Sequence, residues 1–313
     1  MKVIKNYIII FTFIFINSFI LKIKPENLKH YYCTPSDEKH YHMLKNLIGS
    51  IHNVDFANLE EIAVFDLGLN NKQIIELKNM QKVNVYQVEK TNPDILKYFV
   101  TSPNGRKARG YFAWKPVVIK QALDMFPYVL YLDSGTTVLK PLNNLFEYIK
   151  NNEYFLLSCT ASPNCNISNR ITKTVLEQII SKLTPEMQTK ILDEKTIEID
   201  AGLQGLSRQM LNNYVLPMYN HSKNLDLFKD DGTAKFGYGA ARHDQSLFSI
   251  HAHCLNLNIF PEGWLNILLN NKLESLHIHW NREDINANTS IYRSRGDINF
   301  QGGKTKFIKF KNK

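Results

Sequence analysis

Short apolar runs alternate along the chain with stretches whose apolar residues recur at helical period. His30-Tyr31-Tyr32-Cys33-Thr34 reads as a strand, closed by the turn-prone Pro35-Ser36-Asp37. Tyr41, Leu44, Leu47, Ile48 and Ile51 then predict a helix with one buried face. Ile62-Ala63-Val64-Phe65 predicts a second strand, ending in Asp66-Leu67-Gly68-Leu69. Ile74, Ile75 and Leu77 suggest a helix, and Val83 to Tyr86 a third strand. Trp114-Lys115-Pro116 opens a helix, with proline where its missing N–H costs nothing. Val118, Ile119, Ala122, Leu123 and Phe126 form the apolar face of that helix. Tyr128 to Leu132 has the composition of a buried strand and runs straight into Asp133-Ser134-Gly135. The second half is less regular, with a strand at Tyr154 to Cys159 and helices around Ile171 to Leu183. Strands and helices alternating at this spacing predict an α/β fold: one Rossmann-like domain, a mostly parallel central sheet and helices on both faces. Such sheets bind ligands beyond the carboxyl ends of their strands, where Asp133 falls.

The length, 313 residues, and a hydrophobic share of 44% suffice for one core and argue against two large domains. The formal net charge of +9 favours anionic partners, either a membrane surface or a phosphate-bearing substrate. Nucleic acid is not expected, because Lys and Arg are scattered and form no basic helix with interleaved aromatics. The dense basic stretch, 304–313, is expected to be a solvated tail. At the other end, Lys2 and Lys5 precede an apolar run from Tyr7 to Leu21. Residues 1–24 therefore read as a signal-anchor or signal peptide, and the absence of a small-residue cleavage site favours the anchor. That leaves 25–303 as the folded domain. It would lie in the lumen of the Golgi or endoplasmic reticulum as a type II membrane protein, or be secreted after cleavage. The four cysteines have no zinc-site spacing; Cys159 and Cys165 are the pair nearest in sequence, and disulfides or buried thiols both fit.

An acid at the point where a buried strand emerges can offer a hard oxygen to Mg2+ or Mn2+, which neutralises a diphosphate leaving group. The segment Tyr131-Leu132-Asp133-Ser134-Gly135-Thr136-Thr137-Val138-Leu139-Lys140-Pro141-Leu142 closely resembles the strand–Asp-x-Asp–strand unit of GT-A glycosyltransferases. Further matches come in order along the chain. Asp200-Ala201-Gly202 is similar to the acceptor-side Asn-x-Gly strand of the glycogenin and galactinol synthase group, and Asp244-Gln245 to the Asp-Gln that opens its next helix. Phe260-Pro261-Glu262-Gly263-Trp264-Leu265-Asn266 resembles its Leu-Pro-x-x-Trp-Asn stretch, and His277-Ile278-His279-Trp280 lies where it carries a metal-binding His. Val64 to Leu69 and Gly110 to Pro116 also resemble an animal GT-A-like group of unassigned specificity.

The resemblance implies a GT-A domain moving a sugar from a nucleotide-diphosphate sugar, a UDP-sugar, to a glycan or protein hydroxyl, with retention of configuration. Asp133 would bind Mn2+ or Mg2+ with His279 as co-ligand. Thr34, Asp37 and Asp66 would flank the nucleotide, Arg109 and Lys115 would offset phosphate charge, and Asp244, Gln245 and Asp200 would face donor sugar and acceptor. One departure stands out: Gly135 occupies the place of the family's second Asp. It supports the alternative, a catalytically silent, membrane-tethered domain that binds a glycan or protein partner.

Overall fold

A computed structural model describes residues 28–159, 165–279, 282–293 and 303–312. The N-terminal apolar run lies outside these, and no helix among the described residues is long and apolar enough to cross a membrane. The first half matches the hydrophobic pattern closely. Its order is β1 (His30–Ser36), α1 (Tyr41–Val54), β2 (Leu59–Asp66), α2 (Asn71–Lys78) and β3 (Val83–Gln87). A small hairpin comes next, β4 (Tyr98–Val100) with β5 (Lys107–Arg109), and then α3 (Trp114–Met125), β6 (Tyr128–Leu132) and β7 (Thr137–Val138). The second half holds α4 (Asn143–Asn152), β8 (Tyr154–Ser158), the short helices α5 (Ile167–Arg170) and α6 (Lys173–Gln178), and α7 (Pro185–Leu192). After them come β9 (Ile199–Ser207), α8 (Leu216–His221), α9 (Asp244–Cys254), β10 (Gly263–Leu269), β11 (Lys272–His279) and β12 (Ile291–Tyr292).

The main sheet has the order β3-β2-β1-β6-β9-β8. Its first four strands are parallel, and β9 runs antiparallel to both of its neighbours. Because side chains alternate across a strand, each strand feeds two cores. Cys33, Phe65, Val129 and Tyr131 pack against α3, α8 and α9 on one face. Tyr32, Val64, Leu130 and Leu132 pack against α1 and α4 on the other. A strand covered on both faces needs apolar residues at every position, which explains the unbroken run at β6. A second sheet, β10-β11-β12-β7, receives the chain just after Asp133-Ser134-Gly135. Thus the segment between β6 and β7 bridges two sheets.

Two local features depart from the residues' own preferences. The chain enters α3 through three successive residues of positive φ, Gly110 (48°), Tyr111 (51°) and Phe112 (67°). For the two aromatic residues this left-handed turn costs about 1–2 kcal/mol each. The Trp114 indole N–H closes it on the Arg109 carbonyl at 3.0 Å.

The second feature corrects the expectation of a solvated tail. Residues 303–312 dock on α1 and the edge beside β3. Gln81 N–H donates to Lys309 O at 2.8 Å, Lys311 N–H to Asn79 O at 2.7 Å, and Lys309 N–H to His52 Nδ1 at 2.9 Å. The Lys309 ammonium stands 3.6 Å from the centre of the Phe56 ring. Gly49 permits the approach, since a Cβ there would collide with the Lys304 carbonyl. Main-chain bonding and an aromatic partner decide this docking, and neither is visible in a run of lysines.

Candidate active site

The sheet's two directions of growth part between β1 and β6. A crevice lies at the strands' carboxyl ends there, where sheets of this kind bind ligands. A cavity of about 420 Å3 lies there. Ser36 and Asp37 border it from β1, Asp133 to Gly135 from β6, Arg109 from β5 and Lys115 from α3; Ala201 and Gly202 come from β9 and Arg242 to Gln245 from the start of α9. His243 adopts positive φ (52°) and its ring meets the Phe228 carbonyl at 2.6 Å, which turns Asp244 into the cleft at the helix's first turn.

Lys115 is the hub of the site. Its side chain is buried, with Nζ 2.9 Å from Asp244 Oδ2 and 3.5 Å from Asp133 Oδ1. Burial pushes the Asp244 carboxyl above its ordinary range, against the pull of Lys115. Asp133 also accepts a hydrogen bond from the Tyr131 hydroxyl at 2.8 Å. From beneath it is met by Arg293, whose Nη2 lies 3.2 Å from Asp133 Oδ2 and whose Nε lies 3.4 Å from Asp200 Oδ2. Arg293 Nη1 donates to Gly202 O at 2.6 Å and to Thr136 Oγ1 at 2.8 Å. Gly202 makes room for this guanidinium, because a Cβ there would overlap both Arg293 and Asp133.

On the opposite wall, Asp37 accepts from His40 N–H (3.0 Å), the Tyr98 hydroxyl (2.5 Å) and Arg109 Nε (3.1 Å), and its other contact is His40 Nδ1 at 2.7 Å. Burial alone would raise its carboxyl, yet the hydrogen bonds of His40 and Tyr98 hold it well below the usual range. The Arg109 guanidinium lies over the Tyr98 ring, 4.1 Å from its centre. Gln245 is tied from behind: its Nε2 donates to Glu198 Oε2 at 2.7 Å, and Ser246 Oγ donates to Glu198 Oε1 at 2.5 Å. Burial raises Glu198 to about 7, although both hydrogen bonds oppose the shift. Main-chain bonds set Glu198 between Cys159 and Cys165, whose sulfurs approach to 2.8 Å as free thiols.

The structure therefore brings together Asp37, Arg109, Lys115, Asp133, Asp244 and Gln245. Three predicted residues lie elsewhere. Thr34 is buried within β1, short of the cleft. Asp66 accepts from Gly68 N–H, Leu69 N–H and Gln87 Nε2, so it fastens the end of β2 rather than facing the cavity. Asp200 is buried against Arg293 and Gly202 N–H, and its neighbours Ala201 and Gly202 line the space instead. Sequence reasoning missed Arg293 and Glu198, which no motif marks, and gave no role to Arg242, two residues before Asp244; a basic residue fully buried in β-rich sequence, as Arg293 is, carries no local signal.

The divalent ion implied by the resemblance does not fit these residues. His279 is not among the residues that line the cavity, although its Nε2 is buried without a hydrogen-bond partner. Asp133, the other expected ligand, already faces two cations, and Gly135 supplies no second carboxylate. Among the described residues no group of three or more His, Cys, Asp or Glu is placed to hold a metal.

No family model and no curated protein matches the sequence. Solved structures similar to it include mouse xyloside xylosyltransferase 1, at 12% identity over 87% of this chain and 98% of that one, with a TM-score of 0.46. Core-mannan synthase A from Aspergillus fumigatus, in its Mn/GDP form, shares 10% identity over 73% of this chain and 70% of its own, with a TM-score of 0.45. The galactosyltransferase LgtC, in complex with donor and acceptor sugar analogs, shares 12% identity over 74% and 73%, with a TM-score of 0.43. Two of the three are glycosyltransferases by name and the third a mannan synthase; the motifs of this chain resemble the glycosyltransferase class.

Proposed function

We propose that the chain is a glycosyltransferase that moves a sugar from a nucleotide-diphosphate sugar, preferentially a UDP-sugar, to a hydroxyl of a glycan or protein. One observation carries the reading: Lys115 holds Asp133 and Asp244, two acids 111 positions apart, at the carboxyl edge of a Rossmann-like sheet. Lys115, Arg109 and Arg242 face the diphosphate, and Asp244 and Gln245 face the donor sugar. In the transfer, the bond from the anomeric carbon to the diphosphate oxygen breaks, and its electron pair leaves with the nucleoside diphosphate. The acceptor oxygen bonds to that carbon and passes its proton to the departing diphosphate oxygen. Cations fixed beside the leaving group stabilise the charge as it develops, and they need no reorganisation to do so. Retention of configuration is supported by the resemblance of the Asp-Gln segment. The N-terminal apolar run supports a lumenal domain on a secretory-pathway membrane anchor.

The test is a screen of UDP- and GDP-sugars for release of the free nucleotide in the presence of glycan acceptors. Release from at least one donor is expected, and Asp244→Asn should reduce it at least about 100-fold with a smaller change in nucleotide affinity. Absence of release and of nucleotide binding across the panel would refute the reading.

A further inference from the structure

We infer that the cleft holds a nucleoside diphosphate with the protein's own cations and without a divalent metal ion. The inference rests on the donor reading and concerns what neutralises the diphosphate. Six basic side chains line the cavity (Lys39, Arg106, Lys107, Arg109, Lys115 and Arg242) against three acids, Asp37, Asp133 and Asp244. A divalent ion on a diphosphate is held by one or two carboxylates together with the phosphates. Here the carboxylate nearest to a metal ligand's role already faces two cations, Lys115, shared with Asp244, and Arg293, shared with Asp200. Arg293 meets Asp133 at 3.2 Å from the core side, and Lys115 meets it at 3.5 Å from the cleft.

Recruiting Asp133 to a metal would loosen its hold on a guanidinium whose side chain is fully buried. Any loss of that pairing is a cost that the metal would have to offset on binding. A diphosphate meets no such barrier. Arg242 borders the cavity with its Nε buried and without a hydrogen-bond partner, a donor already desolvated and awaiting an acceptor. Gly135, where a second carboxylate would repel the phosphates, adds no charge.

Titration calorimetry with UDP, GDP and inorganic pyrophosphate decides the matter, each in EDTA and in Mn2+. The affinity of the tightest probe in EDTA should lie within about threefold of that in Mn2+, and should weaken as NaCl is raised. Arg242→Gln should weaken binding at least about tenfold in both buffers, with an unchanged melting temperature. Gly135→Asp should weaken binding in EDTA and recover part of the loss in Mn2+. Wild-type binding at least about tenfold tighter with Mn2+ than with EDTA overturns the inference and leaves the transfer reading standing. If none of the three probes binds in either buffer, both readings fall together.

Discussion

Gln245 shows how one buried acid can decide which end of an amide a substrate meets. A carboxylate only accepts hydrogen bonds, so the amide nitrogen of Gln245 must face Glu198 and its oxygen must face away, toward the cleft. Ionised Glu198 enforces this orientation, and protonated Glu198 relaxes it. With Glu198 at about 7, turnover should rise through neutral pH as the carboxylate forms. Glu198→Gln should flatten that limb and lower kcat about tenfold, leaving nucleotide affinity unchanged; a pH profile of kcat with affinity measured in parallel checks it. Stability runs the other way. An unfolded glutamic acid ionises near 4.5, whereas the folded one keeps its proton to about 7. The folded state therefore loses stability as pH climbs through that interval and no further above it. At this scale the positions of Asp133 at a strand end and of Asp244 and Gln245 at a helix start were legible, and the resemblance of their motifs singled them out. Glu198 and Arg293 were not: their importance comes from which side chains meet across long separations.

At the scale of elements, the parallel half of the sheet was readable because strands covered on both faces must be apolar throughout. The left-handed turn at Gly110 to Phe112 was not, since two aromatic residues of positive φ contradict local preference. Their strain is held by Tyr111 stacking on Phe99, with ring centres 4.6 Å apart, and by the Trp114 bond to Arg109. The docked C-terminal segment was misjudged for a different reason, its charge. Burial, with Lys309 and Lys82 nearby, lowers His52 to about 4, so this ring is neutral and accepts the Lys309 N–H. Gly49→Val should displace the segment and cost about 1–3 kcal/mol. A urea melt should show the loss, while calorimetry with UDP shows none, because α1 meets the segment on its side away from the cleft. Unchanged stability would mean that the segment does not dock.

For the whole molecule, the critical tie is the one that Arg293 makes between β12, β6 and β9. Asp133 and Asp200 sit close together because the guanidinium lies between them. Arg293→Met should destabilise the chain by about 3–5 kcal/mol, since the buried Asp200 and the part-buried Asp133 lose their shared partner. Asp133→Asn should cost much less, and equal losses in denaturant melts of the two variants would contradict the arrangement. The same tie has a consequence in time. Asp133 precedes Arg293 by 160 positions. A ribosome adding about 5–20 residues per second needs on the order of 10–30 s to cover that distance. Until Arg293 is made, the growing chain carries Asp133, and over the last 93 positions Asp200 as well, with no guanidinium to join them, and the second sheet lacks β12. On the proposed reading, competence to bind a nucleotide is thus conferred only once β12 and Arg293 have been made.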